Sequence, residues 1–509
     1  MNVRKRSILF KTNRIVWAVL FILFSKISNG QNSYAENWQQ FILPDTTIIQ
    51  NDFNSNDEYF LIKSHCQFLE NKLDVTIIRV LNDTTFIVKC KESSICNLKY
   101  LDYFKTNNLW KLPPHMNDKE GNTIFNILSF NIQKLKKLLN NEKINIVNIE
   151  KDYISVATSL NIIKEKIVVL PFVTAITNES NTVVHESNVK DHILSKNGFS
   201  LLNQNDPELF NKKVVIGLKD NLPNANDIDL FEKVSESPVA SNIIDSHATD
   251  MATIILGSGN NGNSGLGVLP NAAIFPMDFK SLTPDSAEIL DNVDVSIINN
   301  SYGTKIENFY GVLANSYDSF LYKNPAKLHV FSSGNSGDQK SDDGVYKNID
   351  GYSNLTGNYK MCKNCITVGA ANQEGKVLPF SSKGPAYDGR VKPEMVAYST
   401  IGTSNAAALV TGAAVIVQQA FIRNENKTPP SCLLKAALLN GADDIEQPGV
   451  DFKSGYGNLN ITKSVNSIDS QQYFIETIKS DNSNTFSIAI PKMYPNLKLL
   501  YLGQIFLPM

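Results

Sequence analysis

The chain has 509 residues, of which 42% are hydrophobic and 19% charged, with a formal net charge of −2. This composition is typical of a globular protein and excludes a disordered or fibrous one, and the length predicts about two to four domains. A charge balance so near neutrality argues against a broad basic surface for nucleic acid or for an anionic membrane.

The N-terminus has the pattern of a secretory signal. Basic residues between Arg4 and Arg14 precede a ten-residue apolar run at 15–24, and small residues stand at 28–30. Ten helical residues span about 15 Å, half of the roughly 30 Å hydrocarbon core, so this run is too short for a membrane anchor. We therefore predict a signal peptide over residues 1–30 and secretion to the medium, the periplasm or the cell surface. We expect no membrane span after removal of the signal.

Residues 31–195 differ in pattern from residues 196–468 and predict an α+β region. In its second half, apolar residues recur at helical spacing between Ile132 and Leu139. Ile154 and Val156 then alternate with polar neighbours, as in a strand with one buried face.

Six cysteines in an exported chain could form disulfides. Cys362 and Cys365 have the spacing of half a zinc site, but a structural zinc needs four ligands and no second pair stands at matching spacing. A buried free thiol or a local disulfide remains for this pair. Apart from His247, no histidine lies in a recognisable ligand pattern, so we predict no metal site.

From residue 196 to 468, short apolar runs alternate with helical stretches. The runs at 214–218, 295–298, 328–331 and 366–368 have the pattern of strands buried on both faces. Residues 248–256 and an Ala- and Val-rich stretch reaching about Ala420 have the pattern of helices. The alternation predicts an α/β domain with a mostly parallel sheet and helices on both faces, whose chemistry lies beyond the carboxyl ends of the strands.

The last segment, 469–509, contains short β-like runs at 486–490 and 497–506. So few strands cannot close a β-sandwich alone. We therefore expect a partial C-terminal β segment that is either cut short or packed on the preceding domain.

Four polar residues stand where the predicted strands end or the predicted helices begin. Asp220 comes after the run that ends at Leu218, and His247 opens the helical stretch. Asn335 comes after the run at 328–331, and Ser404 precedes the Ala-rich helix. Asp, His and Ser in this order form one of three known chain orders for a catalytic triad.

These residue types suit nucleophilic catalysis. A serine hydroxyl is a poor nucleophile until an imidazole takes its proton, and a carboxylate must hold that imidazole in the right tautomer. Backbone N–H groups at a helix N-terminus beside Ser404 favour a developing oxyanion, and the side-chain amide of Asn335 can donate to the same oxygen.

Several motifs resemble those of the subtilases, the subtilisin-like serine peptidases. Residues 402–404, Gly-Thr-Ser followed by alanines, resemble the nucleophile motif, and 299–303, Asn-Asn-Ser-Tyr-Gly, resemble the substrate-binding strand. Further similar segments lie at 268–272, 380–385, 389–394 and 455–460. The resemblance covers about residues 205–465 and implies a subtilisin-like fold.

The resemblance also implies a function, a serine endopeptidase that cleaves proteins or peptides through an acyl-enzyme. Asp220, His247 and Ser404 would form the triad, with Asn335 as an oxyanion donor. The implied substrate-binding residues are Ser301, Tyr302, Gly303, Ser333 and Gly334. The chemistry needs no cofactor, and although calcium often stabilises the family, no carboxylate cluster is specific enough to be assigned to it.

By the same resemblance, residues 31–195 would be a propeptide whose second half is similar to an inhibitory prodomain, with 170–173 as its last strand. The alternative is an accessory domain that stays attached.

No charged residue stands at 301–303 or 332–335, so these segments indicate no preference for a charged substrate side chain.

Some positions depart from the family pattern without removing a triad group. A second histidine is replaced by Asp250, a proline by Ala408, and the residues after the catalytic aspartate by Asn221 and Leu222; the loop between Val396 and Gly402 is short.

Two other functions remain open: a catalytically silent subtilase-like binding module and an esterase that uses the same serine.

Overall fold

The structure is a computed structural model that describes residues 58–63, 76–82, 85–90, 102–112, 123–178, 184–185, 193–342 and 344–476. The predicted signal peptide lies outside the described residues, as does the predicted C-terminal β segment from residue 477 on. The chain divides into two compact units, one of residues 1–114 and 475–499 and the other of residues 115–474 and 500–509.

The first unit contains a four-stranded antiparallel sheet of order β2-β3-β1-β4. Its strands are β1 (Glu58–Lys63), β2 (Thr76–Asn82), β3 (Thr85–Cys90) and β4 (Asp102–Lys105), and a 3₁₀ turn lies at Asn108–Lys111. Because neighbouring side chains point to opposite faces, Phe60 and Ile62 join one apolar cluster while Leu61 joins another with Trp110.

The second unit carries the remaining elements. Its strands are β5 (Thr123–Ser129), β6 (Asn145–Ile149), β7 (Tyr153–Thr158), β8 (Val173–Thr177), β9 (Val184–His185), β10 (Val215–Asp220), β11 (Ala273–Asp278), β12 (Ile297–Asn300), β13 (Tyr302–Gly303), β14 (Leu328–Ser332), β15 (Ile366–Ala371) and β16 (Met395–Tyr398). Its α-helices are α1 (Ile132–Asn141), α2 (Leu160–Ile162), α3 (Phe199–Asn205), α4 (Ser246–Leu256), α5 (Ala287–Asp291), α6 (Val312–Lys323), α7 (Thr403–Glu425), α8 (Ser431–Gly441) and α9 (Ile461–Asp469). A π-helical turn lies at Ile163–Ile167, and 3₁₀ turns lie at Leu194–Asn197, Pro207–Leu209, Asn263–Gly265 and Asn358–Met361.

Residues 123–177 form a small α+β module with the antiparallel order β6-β7-β5-β8. The predicted helix is α1, whose Leu135 and Leu139 are buried, and the predicted alternating strand is β7. Residues 170–173 were predicted to form the last strand of this module, and this prediction is wrong except at Val173, where β8 begins. Residues 170–172 form a turn, closed by a hydrogen bond from the Val173 N–H to the Leu170 carbonyl, because proline at 171 has no N–H for a strand ladder.

The main sheet has six parallel strands in the order β11-β10-β12-β14-β15-β16, as the α/β prediction required. The four predicted strands are β10, β12, β14 and β15. The two edge strands, β11 and β16, were not predicted from the sequence. Pro276 interrupts the strand pattern of β11 and is tolerated because β11 is an edge strand of the sheet, with only the isolated bridge Val234–Ile274 among the described residues on its other side.

Helix α7 is the centre of the core. It packs on β12, β14, β15 and β16 and on α4, α8 and α9. It is the one helix among the described residues that is long and apolar enough to cross a membrane, but 89% of its apolar window is buried inside the protein. It is therefore a core helix, and its small side chains permit close approach: a Cβ added at Gly412 would lie 2.7 Å from Val268 Cγ1.

The α+β module packs on the part of the same unit that contains the parallel sheet. Leu128, Tyr153 and Ala175 share an apolar cluster with residues that include Val312 and Ala314 of α6. Further along the chain, β9 pairs antiparallel with β13, with His185 opposite Tyr302 and Val184 opposite Gly303.

Candidate active site

The carboxyl ends of the parallel strands bring the predicted site residues together. Asp220 is the last residue of β10, and the segment 333–335 comes directly after the end of β14. His247 lies in the first turn of α4, where the side chain of Asp245 accepts a hydrogen bond from the His247 backbone N–H at 2.7 Å. This N-cap fixes the direction in which the imidazole leaves the helix.

Asp220, His247 and Ser404 form a continuous chain of hydrogen bonds. His247 Nδ1 lies 2.7 Å from Asp220 Oδ2, and His247 Nε2 lies 3.2 Å from Ser404 Oγ. All three side chains are buried, with 2% or less of each residue exposed. The other oxygen of Asp220 accepts the Asn221 N–H at 2.7 Å, which holds the carboxylate in position. The arrangement has the geometry in which an imidazole takes a proton from a serine hydroxyl.

The electrostatic surroundings raise the pKa of His247 above its ordinary value of 6.5. Burial lowers this pKa, but the charge of Asp220 and its hydrogen bond raise it, and the charges of Asp245 and Asp250 raise it further. Asp250 is the residue that stands where the family commonly has a second histidine. That departure therefore adds a negative charge that favours the imidazolium.

Ser404 is the second residue of α7, and its backbone is hydrogen-bonded to the predicted substrate-binding segment. Ser404 Oγ lies 3.1 Å from the Ser301 carbonyl oxygen, and Ser301 Oγ donates to the Ser404 carbonyl at 3.1 Å. Asn299 supports Ser301 by donating from Nδ2 to Ser301 Oγ at 2.9 Å. The start of β13 therefore lies directly beside Ser404.

Asn335 is anchored by the oxygen of its side-chain amide. Asn335 Oδ1 accepts hydrogen bonds from Thr403 N at 3.0 Å and from Thr403 Oγ1 at 3.1 Å. Since the oxygen is engaged by the residue next to Ser404, the NH₂ of the same amide is the group that can donate to a substrate oxygen. The Ser404 N–H at the start of α7 is the second candidate donor.

The other predicted substrate-binding residues lie on two facing segments. Tyr302 and Gly303 form β13, and Ser333 accepts the Thr356 N–H at its carbonyl, at 3.2 Å. Gly334 has φ +114°, and a Cβ there would lie 2.4 Å from Thr356 Oγ1. Only glycine fits this position, because both its backbone angle and its distance from Thr356 exclude a side chain.

The remaining departures from the family pattern leave the site intact. The Leu222 N–H donates to the Ile243 carbonyl at 2.8 Å, and the Leu222 carbonyl accepts the Asp245 N–H at 3.0 Å. Leu222 thus supports the residue that caps α4. The short loop before α7 is closed by Ser399 Oγ, which donates to the Gly402 carbonyl at 2.6 Å.

The structure adds two residues that no sequence pattern identified. Thr356 and Lys360 lie before and in the 3₁₀ turn Asn358–Met361, more than twenty residues beyond Asn335 in sequence. Lys360 is fully buried, and its Nζ donates to Thr356 Oγ1 at 2.8 Å. The only signal in the sequence is a lysine shortly before a buried strand, which does not distinguish it from a surface residue.

The cysteine pair has a structural role away from the triad. Cys362 and Cys365 form a disulfide, one of the two alternatives left open by the sequence. Asp318 accepts the backbone N–H groups of Lys363 and Asn364 at 2.8 Å each, which holds this loop. Within the part of the chain that the structure describes, no group of three or more His, Cys, Asp or Glu side chains is placed to hold a metal ion.

Comparison with known proteins gives a family match and several similar structures. Residues 211–457 match the model of the subtilase family. The chain is similar to the epidermin leader peptide processing serine protease of Staphylococcus aureus, at 14% identity and a TM-score of 0.48, over 68% of this chain and 100% of that chain. Fervidolysin of Fervidobacterium pennivorans is similar at 16% identity and a TM-score of 0.46, over 70% of this chain and 62% of that chain. A prenylagaramide maturation protease is similar at 21% identity and a TM-score of 0.42, over 53% and 98% respectively.

The family match includes the segment in which Asp220, His247 and Ser404 meet. It also includes the six-stranded parallel sheet that positions them. Over residues 211–457 the chain belongs to the subtilase family, and it is a serine-type peptidase.

Proposed function

We propose that the chain is a secreted endopeptidase in which Asp220, His247 and Ser404 are the catalytic triad. The observation that carries this proposal is the unbroken hydrogen-bonded path from Asp220 Oδ2 through the imidazole of His247 to Ser404 Oγ, with distances of 2.7 and 3.2 Å. Each group is buried, so the path is held by the fold rather than by solvent.

The reaction depends on the role of each atom. Ser404 Oγ attacks the carbonyl carbon of a peptide bond while its proton passes to His247 Nε2. The C–N bond then breaks, and the imidazolium returns the proton to the departing amine, which leaves an ester on Ser404. Water, deprotonated by His247, attacks this ester, and the imidazolium returns the proton to Ser404 Oγ as the free acid leaves. Asp220 holds the tautomer and stabilises the imidazolium during both steps.

The oxyanion of each tetrahedral intermediate needs donors. The Asn335 amide and the Ser404 N–H supply them, and the two contacts of Asn335 Oδ1 with Thr403 fix the amide before substrate arrives. A donor that is already oriented costs no reorganisation during the reaction. No cofactor takes part in these steps, and any stabilising calcium would lie outside the chemistry.

The α+β module would act as the inhibitory second half of a propeptide over residues 31–195. Support comes from its apolar contact with α6 and from β9, which pairs with β13 at backbone hydrogen-bonding register. An extended segment on β13 occupies the strand position of a substrate, since peptides bind such edges by main-chain hydrogen bonds. Export is supported by the signal-like N-terminus and by the Cys362–Cys365 disulfide, which suits an oxidising compartment.

The test compares the wild-type precursor with Ser404→Ala and with Ser470→Ala, a control at an exposed serine. Three readouts apply: labelling by a serine-directed fluorophosphonate, digestion of casein and loss of the N-terminal region. Wild type and the control should show all three, and Ser404→Ala none. Labelling without casein digestion, together with hydrolysis of a short-chain ester, would favour the esterase; identical behaviour of all three proteins would favour a silent binding module and refute the proposal.

A further inference from the structure

We propose that Asn299 is a positioning residue for the nucleophile, and that it acts together with Thr411 through the hydroxyl of Ser301. The inference rests on the proposed peptidase function and concerns that same site, because what Asn299 sets is the place and direction of Ser404 Oγ. Neither Asn299 nor Thr411 takes part in the proton transfer itself.

Asn299 lies in the middle of the parallel sheet. It belongs to β12, where it is opposite Leu218 of β10 on one side and Val330 of β14 on the other. Asp220 follows Leu218 by two residues at the end of β10, and the segment that contains Asn335 follows the end of β14. The backbone of Asn299 is therefore held between the two strands that place these site residues.

The side-chain amide of Asn299 connects the sheet to two points of α7. Asn299 Nδ2 donates to Ser301 Oγ at 2.9 Å, and Ser301 Oγ donates to the Ser404 carbonyl at 3.1 Å. At the other end of the amide, Thr411 Oγ1 donates to Asn299 Oδ1 at 3.0 Å. All four residues are fully buried, so these bonds do not compete with water.

The donors and acceptors of this path fit one arrangement. While the single proton of the Ser301 hydroxyl goes to the Ser404 carbonyl, only the NH₂ of Asn299 can complete the contact between the two side chains. The amide oxygen is then the atom that faces Thr411, whose hydroxyl supplies a donor. Thr411 Oγ1 also lies 2.8 Å from the Ala407 carbonyl, the usual partner of a hydroxyl inside a helix.

Two attachment points on one side of α7 limit rotation of the helix. Ser404 and Thr411 are seven residues apart, so they lie on the same helical face, about 10 Å from each other along the axis. Between them stand three successive alanines at 406–408, whose apolar packing has no preferred direction. Directional bonds at both points therefore hold the hydroxyl of Ser404 towards His247 Nε2, 3.2 Å away.

Ser301 contacts Ser404 with two of its atoms. Besides the bond from its hydroxyl, the Ser301 carbonyl oxygen lies 3.1 Å from Ser404 Oγ. A shift of Ser301 would therefore disturb both the backbone and the side chain of the nucleophile. Attack geometry tolerates little displacement, and a shift of about 1 Å costs about 10²-fold in rate.

A purely structural role is the competing explanation, since buried amides need partners wherever they occur. In that case loss of the Thr411 hydroxyl would lower the amount of folded enzyme, but each folded molecule would turn over at the wild-type rate. Measuring kcat per active site, with the sites counted by titration with a serine-directed fluorophosphonate, separates the two explanations.

The experiment compares wild type with Asn299→Leu, Thr411→Val and Thr411→Ser. Leucine and valine keep the approximate shapes of Asn299 and Thr411 without their polar atoms, and serine keeps the hydroxyl. The control is Thr253→Val, at a helical threonine whose Oγ1 donates to the Thr249 carbonyl at 2.9 Å. All variants are assayed on one peptide substrate over a range of pH.

Asn299→Leu should lower kcat per active site by about 10²-fold and Thr411→Val by about 10-fold, with little change in KM. Thr411→Ser should retain most of the wild-type kcat, and Thr253→Val should match wild type. The acidic limb of the pH profile should not move in any variant, because the path from Thr411 to Ser404 carries no charge. A moved limb would mean that the substitutions act on His247 instead, which would overturn the inference.

A double-mutant cycle tests whether the residues act along one path. Ser301→Ala removes the last bond of the path, so Thr411→Val should have little further effect on kcat in the Ser301→Ala background. Full additivity, or a wild-type kcat per active site in Asn299→Leu, would overturn the positioning role and leave the peptidase standing. If Asn299→Leu fails to fold, Thr411→Val and Ser301→Ala decide by the same measurement. Absence of fluorophosphonate labelling in wild type would instead refute the proposed function and this inference with it.

Discussion

Replacement of Asp220 by Asn tests the electrostatic part of the triad. The Asp220 carboxylate and the His247 imidazole are 2.7 Å apart and both buried. At an effective dielectric constant of about 20, two unit charges at this distance attract by about 6 kcal/mol. The attraction exists only once His247 is protonated, that is, after Ser404 has lost its proton. Its loss should therefore lower kcat by about 10⁴-fold, and Asn also offers an amide N–H that favours the wrong tautomer.

The assay measures kcat and KM for a peptide substrate, over a range of pH, for wild type and Asp220→Asn. KM should change little, because Asp220 does not contact substrate. The acidic limb of the profile should move to lower pH in the variant, since Asp220 is the largest contributor that raises the pKa of His247. Asp342→Asn, at an exposed aspartate, is the control. A fall in kcat of less than about 10-fold, or an unmoved acidic limb, would refute the assigned role of Asp220.

Three further predictions concern pH, the oxyanion and the buried ion cluster. The surroundings of His247 raise its pKa above 6.5. For wild type, kcat/KM should therefore fall as the pH drops through a value above 6.5, because the protonated imidazole cannot accept the serine proton. An acidic limb below pH 6.5 would contradict the role of the acidic neighbours. Asn335→Ala should lower kcat by about 10²–10³-fold with little change in KM, and an equal rise in KM would mean that Asn335 binds the ground state instead. Glu394→Gln should destabilise the fold by about 3–5 kcal/mol in denaturant unfolding, because Lys392 Nζ and Lys435 Nζ each lie 2.8 Å from Glu394 and would lose their buried partner. The control Glu374→Gln, at an exposed site, should change stability by less than about 0.5 kcal/mol. Equal effects of the two substitutions would refute the buried pairing.

Local chemistry explains how much of the site could be predicted from the sequence. Asp220, His247 and Ser404 each stand at the end of a strand or the start of a helix, and parallel strands bring such points to one edge of the sheet. The four central strands were visible because both of their faces are apolar. Strand β11 was not, because an edge strand can contain Pro276 and lose the pattern that identifies it.

The contacts of Thr356 and Lys360 could not be predicted from the sequence in this way. Lys360 belongs to a 3₁₀ turn that precedes β15, and the backbone pairing of Thr356 with Ser333 and Thr304 brings this turn towards the segment before Asn335. These are contacts between segments with no shared periodicity, so composition and spacing give no indication of them. The support that Leu222 provides for the cap of α4 is of the same kind, since it depends on backbone atoms that every residue type possesses.

The position of the nucleophile on α7 has a consequence for how this protein can change. Ser404 lies at the start of a helix that is buried almost continuously from Thr403 to Phe421, so the position of its hydroxyl depends on the packing of the core. A cavity or an extra methyl group far along this helix would shift the hydroxyl without touching the cleft, and attack distances tolerate little displacement. Heat should therefore abolish catalysis and global structure in a single transition.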